Sequence, residues 1–386
     1  MPINAEIVLI ITLSVILLVS PFISNALKLP ISMVEIALGM VAGSIGLLHE
    51  NEMFKILAEV GFLYLMLLAG MEVNLKDLVK LPKSFVIKAV MVLGLLYVLS
   101  AIVIAIFKFS FIFLAIFPLI SIGLMLSIQQ EIGKTEWLDN AIKIGVIGEL
   151  LSILVLTIIS GYFEYGVSRE LLINILILFG FLVLLGVVFM AFRTIFWWFP
   201  RLKHSIMPIA DKYHQDVRIA ISLFFLMIAV MLMLHLDVVL GAFVVGVFLT
   251  TFFDHNHHLE HKLSPFGFGF LITIFFVHVG SSIKFSDISL KLLGDALWIT
   301  ALMIILRIIA SIVFVKEYGL KTTILFGLSL SMPLTLLIAT ATLAYNNHML
   351  DSYWYTVFVT TAVLEVIVVM LGVKFINKIK FHKKDI

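Results

Sequence analysis

Residues 138–163 read LDNAIKIGVIGELLSILVLTIISGYF, an apolar stretch of 26 residues with Glu149 near its middle. A helix of about 20 apolar residues is long enough to cross the ~30 Å hydrocarbon core of a bilayer. An ionisable side chain at that depth costs at least ~2.5–3.5 kcal/mol on insertion scales, so it marks a functional site by default. The stretch therefore predicts a transmembrane helix with an acid that is either a structural ion-pair member or a titrating transport group.

The composition of the whole chain agrees with a membrane protein. Of 386 residues, 62% are hydrophobic and 13% are charged, whereas soluble domains have about 45–50% apolar and about 25% charged residues. The absence of cysteine excludes a disulfide scaffold, a thiol enzyme and a cysteine-ligated metal site. The net charge of +2 gives no indication of nucleic-acid binding.

Thirteen apolar segments follow one another along the chain, and we expect helices because an open sheet cannot satisfy its backbone in lipid. No alternation typical of barrel strands is present. The predicted spans are 5–27, 31–48, 54–73, 84–107, 109–131, 138–163, 170–193, 215–235, 237–253, 263–281, 289–315, 321–345 and 352–376.

The basic residues indicate the orientation of these spans. With the N-terminus outside, 20 of the 26 Lys and Arg residues fall in inner loops and five in outer loops, which leaves Arg307 in mid-span. Short cytoplasmic loops carry such an excess of basic residues. We therefore predict a multi-pass membrane protein with the N-terminus outside and the C-terminus in the cytoplasm.

Two predicted spans contain a proline among small polar residues. Residues 117–123 read FPLISIG, and residues 327–335 read GLSLSMPLT with Ser331 and Thr335 beside the proline. Proline removes a backbone donor and opens the helix. Both spans are the fifth of a six-span set, and paired interrupted helices at equivalent positions indicate a secondary-transporter site. The predicted fold is all-α, with inverted repeats at about 5–163 and 215–376, a linker helix at 170–193, and crossed discontinuous helices.

Other charges lie in or near the apolar segments. Arg307 is always protonated, so it requires a carboxylate, helix carbonyls or water as partners. Glu35 lies one turn from the inner surface and is either an interface residue or an accessory proton site. Glu365 is predicted to be structural, and Asp237 is predicted to cap a helix or to lie at the outer mouth of the bundle.

Several motifs resemble those of bacterial Kef-type and sodium/proton antiporters, members of the monovalent cation:proton antiporter superfamily. They are EVGFLYLMLLAGMEV at 59–73, LGAFVVG at 240–246, LSPF at 263–266 and FFVHVG at 275–280. The resemblance covers nearly the whole chain. It implies a core domain that moves against a dimerising domain, and hence a homodimer, without a cofactor. It also implies a location in the inner membrane of a bacterium. A nucleotide-binding domain such as that of Kef channels is not expected, because no GxGxxG-containing region follows the last span.

The resemblance also implies roles for individual residues. Glu149 falls where the family places the second acid of a pair, and Arg307 falls where it places a charge-balancing basic residue. Ser121 matches a hydroxyl residue at the first crossover. The chain departs from the family at Gly148, which stands where the family has Asp, Asn or Gln, and at Glu149, which is Glu instead of Asp. It also departs at Thr335, near which many relatives carry an acid. Ser331 and Gly148 are accessory candidates.

These residues predict a secondary transporter and not an enzyme. Glu149 would bind either a proton or a monovalent cation, Na⁺ or K⁺, with oxygen ligands from Ser121 and Thr335. A single acid predicts electroneutral exchange by alternating access.

One alternative is a sodium-coupled organic-anion symporter in which Arg307 binds the substrate carboxylate. A membrane-embedded enzyme would need a nucleophile–base pair or metal ligands at depth, and a channel would not need paired interrupted helices around one buried acid. The stretch from His255 to His261 is predicted to be a solvated loop, in preference to a metal site.

Overall fold

The computed structural model describes residues 5–27, 29–49, 51–122, 125, 129, 135–199, 201, 214–253, 258–283 and 289–378. Within these residues the protein is all-helical. The helices, in chain order, are α1 (Ala5–Leu27), α2 (Ile31–Ser44), α3 (Glu52–Met71), α4 (Leu75–Val79), α5 (Lys83–Phe107), α6 (Phe113–Ile116), α7 (Glu136–Tyr165), α8 (Arg169–Trp198), α9 (Gln215–Met233), α10 (Val238–Phe252), α11 (His258–Phe266), α12 (Ile272–Ser281), α13 (Leu290–Ala310), α14 (Val315–Ser329), α15 (Leu334–Asn346) and α16 (Ser352–Lys378).

Nine helical stretches among the described residues are long and apolar enough to cross a membrane. Three shorter apolar helices, α2, α10 and α15, coincide with three further predicted spans. The fifth predicted span, 109–131, begins with the four-residue helix α6, which is followed by non-helical chain to Ile122. Met125 and Gln129 are helical, and the rest of its second half lies outside the described residues. The predicted span 31–48 is shorter than expected, because its helix ends at Ser44.

The chain forms two compact units, each built from two separate stretches of sequence. Unit 1 contains Met1–Lys76 and Tyr165–Ile288, and unit 2 contains Asp77–Glu164 and Ser289–Ile386. Unit 1 therefore holds the helices from α1 to α3 and from α8 to α12. Unit 2 holds α5, α6, α7 and the helices from α13 to α16.

Unit 1 is held together by helices whose backbones approach closely at glycine. A Cβ atom added at Gly280 of α12 would lie 2.0 Å from the Ile36 carbonyl oxygen of α2, and one at Gly246 of α10 would lie 2.1 Å from the Leu67 carbonyl oxygen of α3. Small residues at such crossings allow van der Waals packing between membrane helices. The motifs 59–73, 240–246 and 275–280 all place a glycine at one of these crossings, so they have a packing role.

Two hydrogen bonds and a short π-helical turn are found at helix ends of unit 1. The turn, Gly267–Leu271, joins α11 to α12. The Tyr64 hydroxyl donates to the Leu263 carbonyl over 3.1 Å. At the start of α10, Asp237 accepts a hydrogen bond from the Val239 amide over 3.0 Å, which confirms its predicted capping role.

Unit 2 contains the two interrupted helices. The chain leaves helical geometry after Ile116 and remains non-helical from Leu119 to Ile122. The second interruption separates α14 from α15 at Leu330–Pro333. Both interruptions lie at the predicted prolines, because proline cannot donate to the helix ladder. Helix α13 packs against α16 and α5, and α15 packs against α6 and α16.

Candidate functional site

Glu149 is a buried side chain of α7, with only 1% of its surface exposed. Its Oε1 atom accepts a hydrogen bond from the Ser121 hydroxyl, and its Oε2 atom accepts one from the Ile122 amide, each over 3.4 Å. Both donors belong to the interrupted stretch after α6. The structure therefore brings together Glu149 and Ser121, which the sequence predicts to share a site.

The interruption explains why this amide is available to a carboxylate. In a continuous helix the Ile122 amide would bond the carbonyl of residue 118, but the chain at Pro118 has already left helical geometry. Buried backbone groups released in this way must find another partner. Glu149 is the partner of the Ile122 amide. The stretch from Leu119 to Ile122 thus supplies the polar groups of the site.

Arg307 of α13 is completely buried and binds two partners. Its Nη1 atom donates to Glu365 Oε1 of α16 over 2.9 Å, and its Nη2 atom donates to the Leu119 carbonyl over 2.6 Å. The sequence predicts an acidic or a carbonyl partner for Arg307, and the structure shows one partner of each kind. The acidic partner is Glu365, whose structural role is predicted from the sequence without its partner being identified.

The Arg307–Glu365 contact is a single hydrogen bond and not a bidentate pair. Among the described residues, neither Arg307 Nε nor Glu365 Oε2 has a hydrogen-bond partner. Both side chains are fully buried, so their charges compensate one another at low dielectric. The Leu119 carbonyl and the Ile122 amide thus anchor two different charged groups, three residues apart on the interrupted stretch.

The accessory candidates have different positions in unit 2. Ser331 is fully buried and its hydroxyl donates to the Gly327 carbonyl over 2.9 Å, so it stabilises the end of α14. Thr335 is half-buried in the first turn of α15. A Cβ atom at Gly148 would lie 3.0 Å from Ile120 Cδ1 and 3.2 Å from Leu93 Cδ2. A second acid at position 148 would therefore have to displace these two side chains.

Two hydroxyl residues near Glu149 do not follow from the sequence analysis. Ser152 lies three residues after Glu149, on the same face of α7, and is 1% exposed. The Tyr97 hydroxyl of α5 is its neighbour, and neither hydroxyl makes a hydrogen bond of normal length with a described residue. The spacing of Glu149 and Ser152 is the only sequence signal that points to this pair.

Glu35 is a second buried acid, and it lies in unit 1. It is 2% exposed, so it is not an interface residue. The Thr273 Oγ1 atom lies 2.8 Å from Glu35 Oε1 and 2.8 Å from the Phe268 carbonyl oxygen. A hydroxyl group has one hydrogen and can donate to only one of two acceptors. Both contacts have a hydrogen if Glu35 is protonated, because its carboxyl then donates to the Thr273 hydroxyl, which in turn donates to the Phe268 carbonyl.

This proton count predicts the effect of two substitutions on stability. Glu35→Gln should keep the link, since its amide donates to Thr273 as a protonated carboxyl does. Thr273→Val should lower the free energy of unfolding by about 1–3 kcal/mol, because it leaves buried polar groups unpaired. Equilibrium unfolding in mixed micelles measures both, with Thr273→Ser as the control that retains the hydroxyl. Equal losses for Glu35→Gln and Thr273→Val would show that glutamine does not keep the link to Thr273.

The predicted histidine loop is described only in part. Residues 254–257 lie outside the described residues, and the rest of the stretch begins α11. The intramembrane His278 packs edge to face against Phe54, with ring centroids 4.9 Å apart.

Comparisons with known proteins give consistent results. The family described as "Sodium/hydrogen exchanger, transmembrane" matches residues 11–378. The chain is 26% identical over 367 residues to the putative Na(+)/H(+) antiporter YjbQ of Bacillus subtilis, covering 88% of this chain but 57% of that protein's length. It is 26% identical over 396 residues to the probable Na(+)/H(+) antiporter 3 of Methanocaldococcus jannaschii, covering 98% of each. The solved structure of the sodium proton antiporter MjNhaP1 from M. jannaschii has the same fold, with TM-score 0.66, 14% identity and coverage of 96% of this chain and 99% of that one.

Proposed function

The chain belongs to the sodium/hydrogen exchanger family, and on this premise we propose that it exchanges a monovalent cation, Na⁺ or K⁺, for H⁺ across a membrane. The observation that carries the proposal is Glu149, a buried carboxylate held against the polar groups of an interrupted helix. Such a group binds a proton or a cation in turn. The mechanism is alternating access, and the protein is a secondary transporter.

The chemistry of exchange follows from the ligands around Glu149. Alkali cations are hard and prefer oxygen ligands. The Glu149 carboxylate and the Ser121 hydroxyl lie in contact, and we propose that Thr335 adds a weaker ligand. When the cation leaves, the buried carboxylate has lost its counter-charge and takes up a proton instead. Proton and cation therefore compete for one group, which is the requirement for antiport.

Arg307 has the charge-balancing role in this proposal. The guanidinium and Glu365 together carry no net charge, so only Glu149 changes its charge during the cycle. This arrangement favours the antiporter over an organic-anion symporter. A symporter would need Arg307 to bind the substrate carboxylate, whereas its Nη1 and Nη2 atoms already bind Glu365 and Leu119.

We also propose thirteen spans in two inverted repeats, at about 5–163 and 215–376, with 170–193 as the linker. Exchange of the repeats would convert the second span into the ninth and the third into the tenth. The close pair α2–α12 would then become the close pair α10–α3. In both pairs a Cβ atom added at a glycine would lie less than 2.5 Å from a carbonyl oxygen of the other helix. The parallel course of α2 and α12, seen in Gly39 at Val277 and Gly43 at Ser281, fits two even-numbered spans.

The proposal includes the cellular arrangement predicted from the sequence. The protein would lie in a bacterial inner membrane with the N-terminus outside and the C-terminus in the cytoplasm, as the basic residues indicate. It would form a homodimer. Light scattering of the protein in lipid nanodiscs would measure the number of chains in each particle.

One proton for each cation predicts that exchange does not respond to membrane voltage. Proteoliposomes with an internal pH dye, challenged with NaCl, KCl or LiCl, would show which cation drives proton movement. An imposed potential of 100 mV changes the driving force on one net charge by about 2.3 kcal/mol. We expect the rate to stay the same at potentials of either sign, with choline chloride as the control for ionic strength. A rate that follows the voltage would contradict the single-proton stoichiometry.

A further inference from the structure

Glu149 and Glu365 occupy corresponding positions in the two halves of unit 2. Glu149 is the fourteenth residue of α7, and Glu365 is the fourteenth residue of α16. Glu149 follows Pro118 by 31 residues, and Glu365 follows Pro333 by 32 residues. Each of these acids is buried, and each lies in the helix that would follow the interrupted helix of its repeat.

The two acids differ in the groups that bind them. Glu149 accepts hydrogen bonds from two neutral donors, the Ser121 hydroxyl and the Ile122 amide. Glu365 accepts one from the Arg307 guanidinium over 2.9 Å. Arg307 is the eighteenth residue of α13, and the eighteenth residue of α5 is Ser100, whose hydroxyl donates to the Leu96 carbonyl of its own helix. The second half thus carries a fixed cation where the first half carries a serine.

We propose that Glu365 is a second carboxylate site for a proton or a monovalent cation, and that the Arg307 guanidinium occupies it in place of the cation. The inference rests on the proposed function, because it uses Glu149 as the template for such a site. Arg307 cannot lose its proton, so it keeps Glu365 out of the exchange cycle. Of the two acids, only Glu149 then takes part in exchange, which agrees with one proton for each cation.

The geometry of the ion pair supports a site rather than a simple structural bridge. A structural Arg–carboxylate pair is frequently bidentate. Here the guanidinium uses one nitrogen for Glu365, and Glu365 Oε2 has no hydrogen-bond partner among the described residues although it is completely buried. Without the guanidinium, a buried carboxylate must take up a proton or another cation. Removal of Arg307 should therefore expose a titrating group.

The test measures proton release from purified protein in weakly buffered detergent solution when NaCl or KCl is added, with choline chloride as the control. The wild-type protein should release protons, and Glu149→Gln should lose this release. Glu149→Gln with Arg307→Gln should regain it through Glu365, up to one proton per chain. The triple variant with Glu365→Gln should lose it again. Size-exclusion profiles check that each variant is folded.

The outcomes separate this inference from the proposed function. Release retained by Glu149→Gln alone would count against Glu149 as the exchange group and against the inference that uses it as a template. A folded but silent Glu149→Gln, Arg307→Gln variant would overturn only the site at Glu365, and so would release that persists in the triple variant. If Arg307→Gln does not fold, Arg307→His replaces it. Release should then occur only above about pH 6.5, where histidine is neutral, and silence at every pH would overturn the proposal.

Discussion

Glu149→Gln is expected to abolish cation-driven proton movement while the protein still folds. Glutamine has nearly the shape of glutamate, and its carbonyl can accept the hydrogen bond from the Ser121 hydroxyl. It cannot release a proton or balance the charge of a cation, so neither half of the cycle can occur. We expect loss of exchange to the background of empty liposomes, measured as dye quenching after a NaCl or KCl pulse.

Two further variants make this result specific. Glu164→Gln removes an exposed acid near the end of the same helix and should leave the exchange rate unchanged. Glu149→Asp keeps the charge but shortens the side chain by one methylene, so its carboxylate lies farther from Ser121 and Ile122. We expect it to retain exchange with a weaker apparent affinity for the cation. Full exchange in Glu149→Gln would place the transport acid elsewhere in the chain.

The helices and their interruptions follow from the sequence because their causes are local. Hydropathy alone gives most spans, and Pro118 and Pro333 mark both interruptions, since the missing backbone donor acts within one turn. The prediction that Glu149 and Ser121 share a site rests also on the resemblance to the antiporter family. The sequence of the interrupted span identifies the polar groups, but it does not give the crossing of α7.

The partner of Arg307 shows what the sequence could not provide. A buried arginine requires a carboxylate, helix carbonyls or water, and the apolar spans contain Glu35, Glu149 and Glu365 without a signal that shows which acid pairs with Arg307. The choice is made by the packing of α13 against α16, which brings together residues 58 positions apart. Likewise, Glu35 contacts Thr273, which lies 238 positions later in the chain and follows a π-helical turn. Such long-range contacts have no periodic signal in a single sequence.

The Arg307–Glu365 pair predicts an unequal response to removal of its two members. Glu365→Gln leaves a buried guanidinium without its counter-charge, and breaking a buried pair in this way costs about 3–5 kcal/mol. Arg307→Gln should cost less, because the remaining carboxyl can become neutral by taking up a proton, whereas arginine cannot lose one. We expect this order in the free energy of unfolding, measured by equilibrium unfolding in mixed micelles at neutral pH.

A surface pair in the same unit provides the matched control. Lys88 and Glu317 also form an ion pair, but their side chains are 33% and 43% exposed. Glu317→Gln should therefore change the free energy of unfolding by only about 0–1 kcal/mol, and this small change should fall further at high salt. A Glu365→Gln protein as stable as Glu317→Gln would mean that water reaches Arg307, and the guanidinium would then be no fixed counter-charge for Glu365.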